Sequence, residues 1–109
     1  NLDNLNLIID YNNLQSLTTV SETLNILPIK DKFIAFGWEY YEWDGHNHSG
    51  LKLILNKSYN SRNGKPKIIV ANTIKGKGVS YMENKVEWHY KSPDDNLLKK
   101  AINEIENEK

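Results

Sequence analysis

Lys67-Ile68-Ile69-Val70-Ala71-Asn72-Thr73-Ile74-Lys75-Gly76-Lys77-Gly78 decides the fold of this chain. Its first five residues read as an apolar strand, and a Gly/Lys loop follows directly. The loop runs on to the aromatic-His-aromatic step Trp88-His89-Tyr90 and then to Ser92-Pro93-Asp94-Asp95. That last quartet reads as a helix start: a capping Ser, Pro at the first helical position, and acids on the positive end of the dipole. Leu97, Leu98, Ala101, Ile102 and Ile105 give the helix an apolar face. Two spaced cations, two glycines and a histidine in a strand-to-helix connection suit a phosphorylated small molecule.

Outward from this stretch the chain alternates. Leu5 to Tyr11 is a near-continuous apolar run, expected to form a strand buried on both faces as in parallel sheets. Leu14 to Leu27 has no clear period and reads as an ordered loop with one helical turn. Pro28 to Phe36 has the spacing of a helix face, closed by Gly37. Trp38 to Trp43 is rich in strand-favouring aromatics, and Asp44-Gly45-His46 makes a turn. Ser49 is the expected cap of a helix holding Leu51, Ile54, Leu55 and Tyr59. Strand, helix, strand, helix, strand, long loop, helix predicts an α/β fold, a partial parallel sheet flanked by helices.

Composition excludes several classes. The 109 residues bound one small domain, with 39% hydrophobic and 26% charged residues. Net charge is zero, which argues against nucleic acid or a membrane surface as partner. There is no cysteine, so disulfides and thiolate metal sites are excluded. No apolar run approaches the roughly 20 residues of a membrane span, and a cytoplasmic protein is the default expectation. The chain opens on Asn1 with a strand close behind, and three strands leave exposed sheet edges. Both suggest a fragment of a larger protein.

Four patterns carry candidate chemistry, each beside a plainer reading. Asn12-Asn13-Leu14 follows the first strand, where open α/β sheets bind ligands. An Asn oxygen and a nearby carbonyl suit Mg²⁺ on a phosphate, but Asn pairs also simply form turns. Lys75-Gly76-Lys77-Gly78 lets backbone and charge approach phosphate, but it lacks Walker spacing and also reads as a solvated basic turn. His89 can donate to an anion near the helix start, or be packed between two aromatics. Asp44-Gly45-His46-Asn47-His48 is too tightly spaced for a metal centre and reads as turn and cap. Trp38, Tyr40, Tyr41 and Trp43 lack interleaved basic residues and read as packing. Glu104 to Glu108 reads as a solvated helix end.

Taken together, these stretches resemble transketolases, most of all the bacterial type in which the diphosphate-binding N-terminal domain is a separate subunit. The resemblance rests on N-L-x-L-I-I-D-Y-N-N-L-Q, F-x-A-F-G-W-E-Y-Y-E-W-D-G-H-N-H, G-K-P-K-I-I-V-A-N-T-I-K-G-K-G-V-S-Y-M-E-N and W-H-Y-K-S-P, in family order. It implies that residues 1–109 are the C-terminal portion of a thiamine-diphosphate-binding domain. It implies thiamine diphosphate and Mg²⁺ as cofactors, and transfer of a two-carbon ketol unit between sugar phosphates, as in the pentose phosphate pathway. The implied partner is a pyrimidine-binding domain or subunit, in a homodimer or heterotetramer. Carried over by residue, Asn12 ligates Mg²⁺ through its side chain and Leu14 through its carbonyl, and Gln15 lies near the cofactor. Lys75 and His89 contact the cofactor, His89 as the catalytic candidate on diphosphate or donor-sugar oxygens. Lys77 is a further basic candidate.

Two departures qualify the resemblance. The family's Gly-Asp-Gly, whose Asp supplies another Mg²⁺ ligand, lies before the first residue here, as do other active-site histidines. The glutamate that activates the cofactor belongs to the pyrimidine domain. Mg²⁺ demands near-octahedral coordination, so the 109 residues alone are expected to be inactive. Many relatives also carry Gly where this chain has Tyr90. A non-catalytic remnant or assembly module is the competing reading. A deoxyxylulose-phosphate synthase fits the K-G-K-G-V-S-Y-M-E-N order less well.

Overall fold

The computed structural model describes residues 2–15 and 18–107. They divide into two compact units, one of residues 2–11 and 26–73, the other of residues 12–15, 18–25 and 74–107.

The first unit is a three-stranded parallel sheet with helices. Strand β1 (Asn6–Tyr11) and strand β2 (Glu39–Asp44) flank strand β3 (Lys67–Asn72), in the order β1-β3-β2. Asn6 and Glu39 both stand opposite Lys67, and Tyr11 and Asp44 opposite Asn72. Central placement explains why Ile68, Ile69 and Val70 are buried. Each such side chain contributes about 1.5–3 kcal/mol of transfer free energy. β1 departs from expectation. It is an edge strand with Leu7 and Ile8 exposed, Ile8 by 55%. Its apolar run reads as doubly buried, but among the described residues it pairs with β3 alone.

Helix α2 (Ile29–Ala35) covers one face, where Ile29 clusters with Ile68 and Val70 beside Ile9, Tyr11, Phe33, Trp38 and Tyr40. The Phe33 and Trp38 rings meet edge-on at 5.3 Å. Gly37 ends α2 with φ +83°, a conformation unfavourable for other residues. Helix α3 (His48–Asn60) serves the alternate-residue face: Lys57 lies over the Tyr41 ring, and Gly50 lies against Trp43. The cap of α3 is Asn47, whose side chain accepts from Gly50 N–H at 2.9 Å, not Ser49. Asn47 sits one residue earlier than the first helical residue, and its shorter reach to the third amide wins. As expected, Asp44 to His46 is a turn, closed by Asp44 Oδ1 accepting from His46 N–H. Lys67 is fully buried, its ammonium donating to the carbonyls of Asp3 (2.8 Å) and Ser61 (2.6 Å).

The second unit holds helix α1 (Val20–Thr23), a 3₁₀ turn (Val86–His89) and helix α4 (Asp95–Asn107). Thr19 caps α1, matching the expected helical turn within Leu14 to Leu27. Ser16 and Leu17 of that loop lie outside the described residues. α4 is capped by Asp94, whose Oδ1 accepts from Asn96 and Leu97 N–H, so Ser92 and Pro93 stand before the cap. Asp94 supplies both the capping oxygen and a charge on the dipole, which a serine hydroxyl does not. Of the expected apolar face, Ala101 is buried while Leu98, Ile102 and Ile105 are exposed. Glu104 is not a solvated helix end. Its carboxylate accepts from Ser80 N–H at 2.6 Å and from Ser80 Oγ–H at 2.7 Å. Glu108 lies outside the described residues.

Candidate functional site

The candidate site belongs wholly to the second unit. Asn12, Leu14, Gln15, Lys75, Val86 and His89 line one cleft of about 280 Å³. Each reaches it for a local reason.

Asn12 and Leu14 sit on a tight turn. Asn12 Oδ1 accepts from Leu14 N–H at 3.0 Å, and Asn13 adopts φ +59°, which Asn tolerates better than most residues. Leu14 then pairs with Thr19 in an isolated antiparallel bridge. That bridge uses the Asn13 carbonyl (from Val20 N–H, 3.1 Å) and the Gln15 N–H (to Thr18, 2.7 Å). The Leu14 carbonyl is left without a hydrogen bond among the described residues. An amide oxygen accepts two bonds, so Asn12 Oδ1 keeps one acceptor site as well. Among the described residues, Gln15 Nε2 makes only a long 3.4 Å bond to the Leu24 carbonyl.

Lys75 stands at the start of a loop that closes on itself. Asn84 N–H donates to the Lys75 carbonyl at 3.0 Å, and Val79 N–H to the Gly76 carbonyl at 3.1 Å. Gly76 has φ +73°, and a Cβ there would stand 2.8 Å from the Met82 backbone, so the loop needs glycine twice over. Glu83 fastens the opposite side, accepting from Gly78 N–H at 3.0 Å and pairing with Lys77 at 3.7 Å. The two lysines of the loop are thereby distinguished. Lys77 is exposed, serves Glu83 and does not line the cleft, whereas Lys75 is half-buried. Its ammonium has no hydrogen bond or ion pair among the described residues.

Val86 is a lining residue that sequence reading did not single out. A 3₁₀ turn has three residues per turn, so Val86 and His89 project from the same side. Trp88 points elsewhere, packing edge-on against Tyr81 at 5.0 Å. The imidazole of His89 makes no hydrogen bond among the described residues and meets the Tyr90 ring at 4.6 Å.

A larger open cleft of about 820 Å³ borders α4, lined among others by Ser80, Glu83, Lys99 and Glu104. Its carboxylates are already committed, Glu83 to the Gly78 amide and Glu104 to Ser80. The smaller cleft combines a cation and an imidazole that have no partner among the described residues with two oxygen acceptors, of which Asn12 Oδ1 is half used. The arrangement can receive an anion and present hard oxygens to a cation. Among the described residues, no group of three or more His, Cys, Asp or Glu could hold a metal ion. The Asp44-His48 segment is turn and cap, as expected. No described helix is long and apolar enough to cross a membrane.

No protein-family model matches the chain. Curated proteins do. It is 36% identical over 104 residues to an apulose-4-phosphate transketolase subunit of Phocaeicola vulgatus, covering 95% of this chain and 37% of that one. It is also 36% identical, over 107 residues, to a 6-deoxy-6-sulfo-D-fructose transketolase subunit of a Clostridium species, covering 98% of this chain and 38% of that one. The chain thus spans somewhat over a third of the curated relatives it matches. Among solved structures, the transketolase of Campylobacter jejuni superposes with a TM-score of 0.87 at 30% identity, over 96% of this chain and 16% of that one. In sequence and in fold alike, the chain is a segment of the transketolase family, homologous over nearly its whole length to transketolases.

Proposed function

We propose that these 109 residues form part of the cofactor site of a thiamine-diphosphate- and Mg²⁺-dependent transketolase. One observation carries the reading: in a transketolase homologue, Asn12, Leu14, Lys75 and His89 border one cleft, where the Leu14 carbonyl, the Lys75 ammonium and the His89 imidazole have no hydrogen-bond partner among the described residues and Asn12 Oδ1 keeps one acceptor site. The residues fit the group. Asn12 Oδ1 and the Leu14 carbonyl are hard, uncharged oxygens of the kind Mg²⁺ takes. Lys75 supplies a compact positive charge for a diphosphate, and His89 a hydrogen-bond donor. The cleft lies near the lower end of ligand-pocket volumes, roughly 300–1,000 Å³, which suits one end of an extended cofactor.

When bound, thiamine diphosphate supplies the electron sink for breaking a carbon–carbon bond beside a carbonyl. The chain's own residues bind and orient. Asn12 and Leu14 would fix the cation, Lys75 would offset phosphate charge, and His89 would offer a hydrogen bond at the rim of the cleft. Two oxygens are too few for an octahedral ion. The remaining ligands would come from a segment carrying Gly-Asp-Gly, and a pyrimidine-binding domain or subunit would complete the enzyme. The relatives' designation as subunits supports such a partner. Anionic sugars are the substrate class, since the two relatives' names specify a sugar phosphate and a sulfonated sugar.

Amide NMR of the 109-residue chain tests the reading. Thiamine diphosphate with Mg²⁺, added to millimolar levels, is expected to shift the signals of Asn12 to Gln15, Lys75 and Val86 to Tyr90. Affinity is expected to be weaker than micromolar. Shifts confined to other residues, or micromolar binding by this chain alone, would contradict it.

A further inference from the structure

Ring packing as well as backbone holds the 3₁₀ turn that carries His89. The two bonds that tie it to its flanking residues are long: Trp88 N–H to the Lys85 carbonyl and Tyr90 N–H to the Glu87 carbonyl are both 3.4 Å. Trp88 instead packs edge-on against Tyr81. Tyr81 is itself fixed to α4 by its hydroxyl, which donates to the Leu97 carbonyl at 2.8 Å. This chain of contacts sets where the His89 backbone lies. It does not set the imidazole, which can still rotate about two side-chain bonds.

One ring contact bears on its orientation. The Tyr90 ring stands at 86° to the imidazole with centroids 4.6 Å apart, the edge-to-face arrangement that aromatic quadrupoles favour. Tyr90 does not line the cleft and is 73% exposed. So large an exposed aromatic ring contributes little to the unit's core, and the neighbouring imidazole is the ring it meets.

We infer that Tyr90 is a positioning residue for His89, bracing the imidazole from outside the cleft so that it faces a bound diphosphate without first being ordered. The inference rests on the cofactor reading above.

The test uses the 109-residue chain with Tyr90→Leu and Tyr90→Phe, and Mg²⁺ with inorganic diphosphate as probe. Because Tyr90 is exposed, both variants should keep the wild-type amide spectrum elsewhere. In wild type, the His89 ring protons should carry a ring-current shift that Tyr90→Leu loses and Tyr90→Phe keeps. Diphosphate, followed at His89, should bind about two- to tenfold more weakly to Tyr90→Leu, the scale of one aromatic pair, and normally to Tyr90→Phe. Unchanged His89 ring signals in Tyr90→Leu would overturn the inference, and so would equal diphosphate binding by all three proteins. If wild type binds no diphosphate at this cleft, the cofactor reading fails, and the positioning role fails with it.

Discussion

The carboxylate of Glu104, on α4, accepts both the amide and the hydroxyl of Ser80, at 2.6 and 2.7 Å. A single side chain thereby ties the last helix to the loop that begins at Lys75. These bonds, with Lys100 nearby, hold the Glu104 carboxyl below its ordinary range. A carboxyl with a lowered folded-state pKa adds stability that is present above its unfolded value and lost as pH falls through the folded one. The tie should therefore persist at neutral pH and fail only below about pH 4.3, the free-glutamate value. The protection of the Ser80 amide against solvent exchange, relative to its intrinsic rate at each pH, should fall there. Glu104→Gln should show the faster exchange already at pH 7.

Gly76 and Gly37 both have positive φ, but only Gly76 is crowded. A Cβ at Gly76 would meet the Met82 backbone at 2.8 Å, whereas nothing lies within 4 Å of one at Gly37. Gly37→Ala should cost about 1 kcal/mol for the left-handed conformation alone. Gly76→Ala should cost more, about 2–4 kcal/mol, because the loop must also shift. Paired thermal or urea unfolding measurements check the order, and equal losses would remove the role given to the close approach.

Lys67 carries its charge into the sheet's interior and satisfies two carbonyls there. Lys67→Met keeps the aliphatic bulk but leaves the Asp3 and Ser61 carbonyls without that donor. A lost bond of this kind costs about 1–3 kcal/mol, and urea denaturation should show a decrease of that size or larger.

Tyr40 and Tyr41 are each pushed up to about 12, by burial first and then by the Glu42 and Glu39 carboxylates that accept their hydroxyls. A raised folded-state pKa adds stability that is complete below the unfolded value, about 10, and lost as pH rises toward 12. Stability should fall across that window. In Tyr40→Phe/Tyr41→Phe, the fall should be smaller. Ultraviolet titration should find Tyr40 and Tyr41 ionising late; Tyr81 is raised as well, by burial and by the nearby Glu104 and Asp94 carboxylates.

Lys75 should behave in the opposite way to Lys67. Its ammonium is unpaired among the described residues, so Lys75→Ala should change stability by no more than about 0.5 kcal/mol. Diphosphate binding should weaken by about tenfold or more, the scale of one charge-assisted hydrogen bond. Lys77→Ala should do the reverse, loosening the Glu83 clamp while leaving the cleft's lining residues in place.

The periodicities of this sequence determine its three strands, its helices and the α/β alternation, because apolar spacing is a local property. Glycines and turn residues mark the ends of elements for the same reason. Locality fails where two neighbours offer similar chemistry: Ser49 and Ser92 are good caps, but Asn47 and Asp94 hold the positions whose oxygens reach the free amides. It fails again for β1, whose apolar run does not say how many neighbouring strands these residues supply. Within the candidate site, the sequence marks both loop lysines alike. Only the tertiary structure separates them, by setting Glu83 beside Lys77 and leaving Lys75 in the cleft with Asn12, Leu14 and His89. Which charge is spent and which is free depends on what the folded chain places next to it, and residues this far apart in sequence become neighbours only through packing.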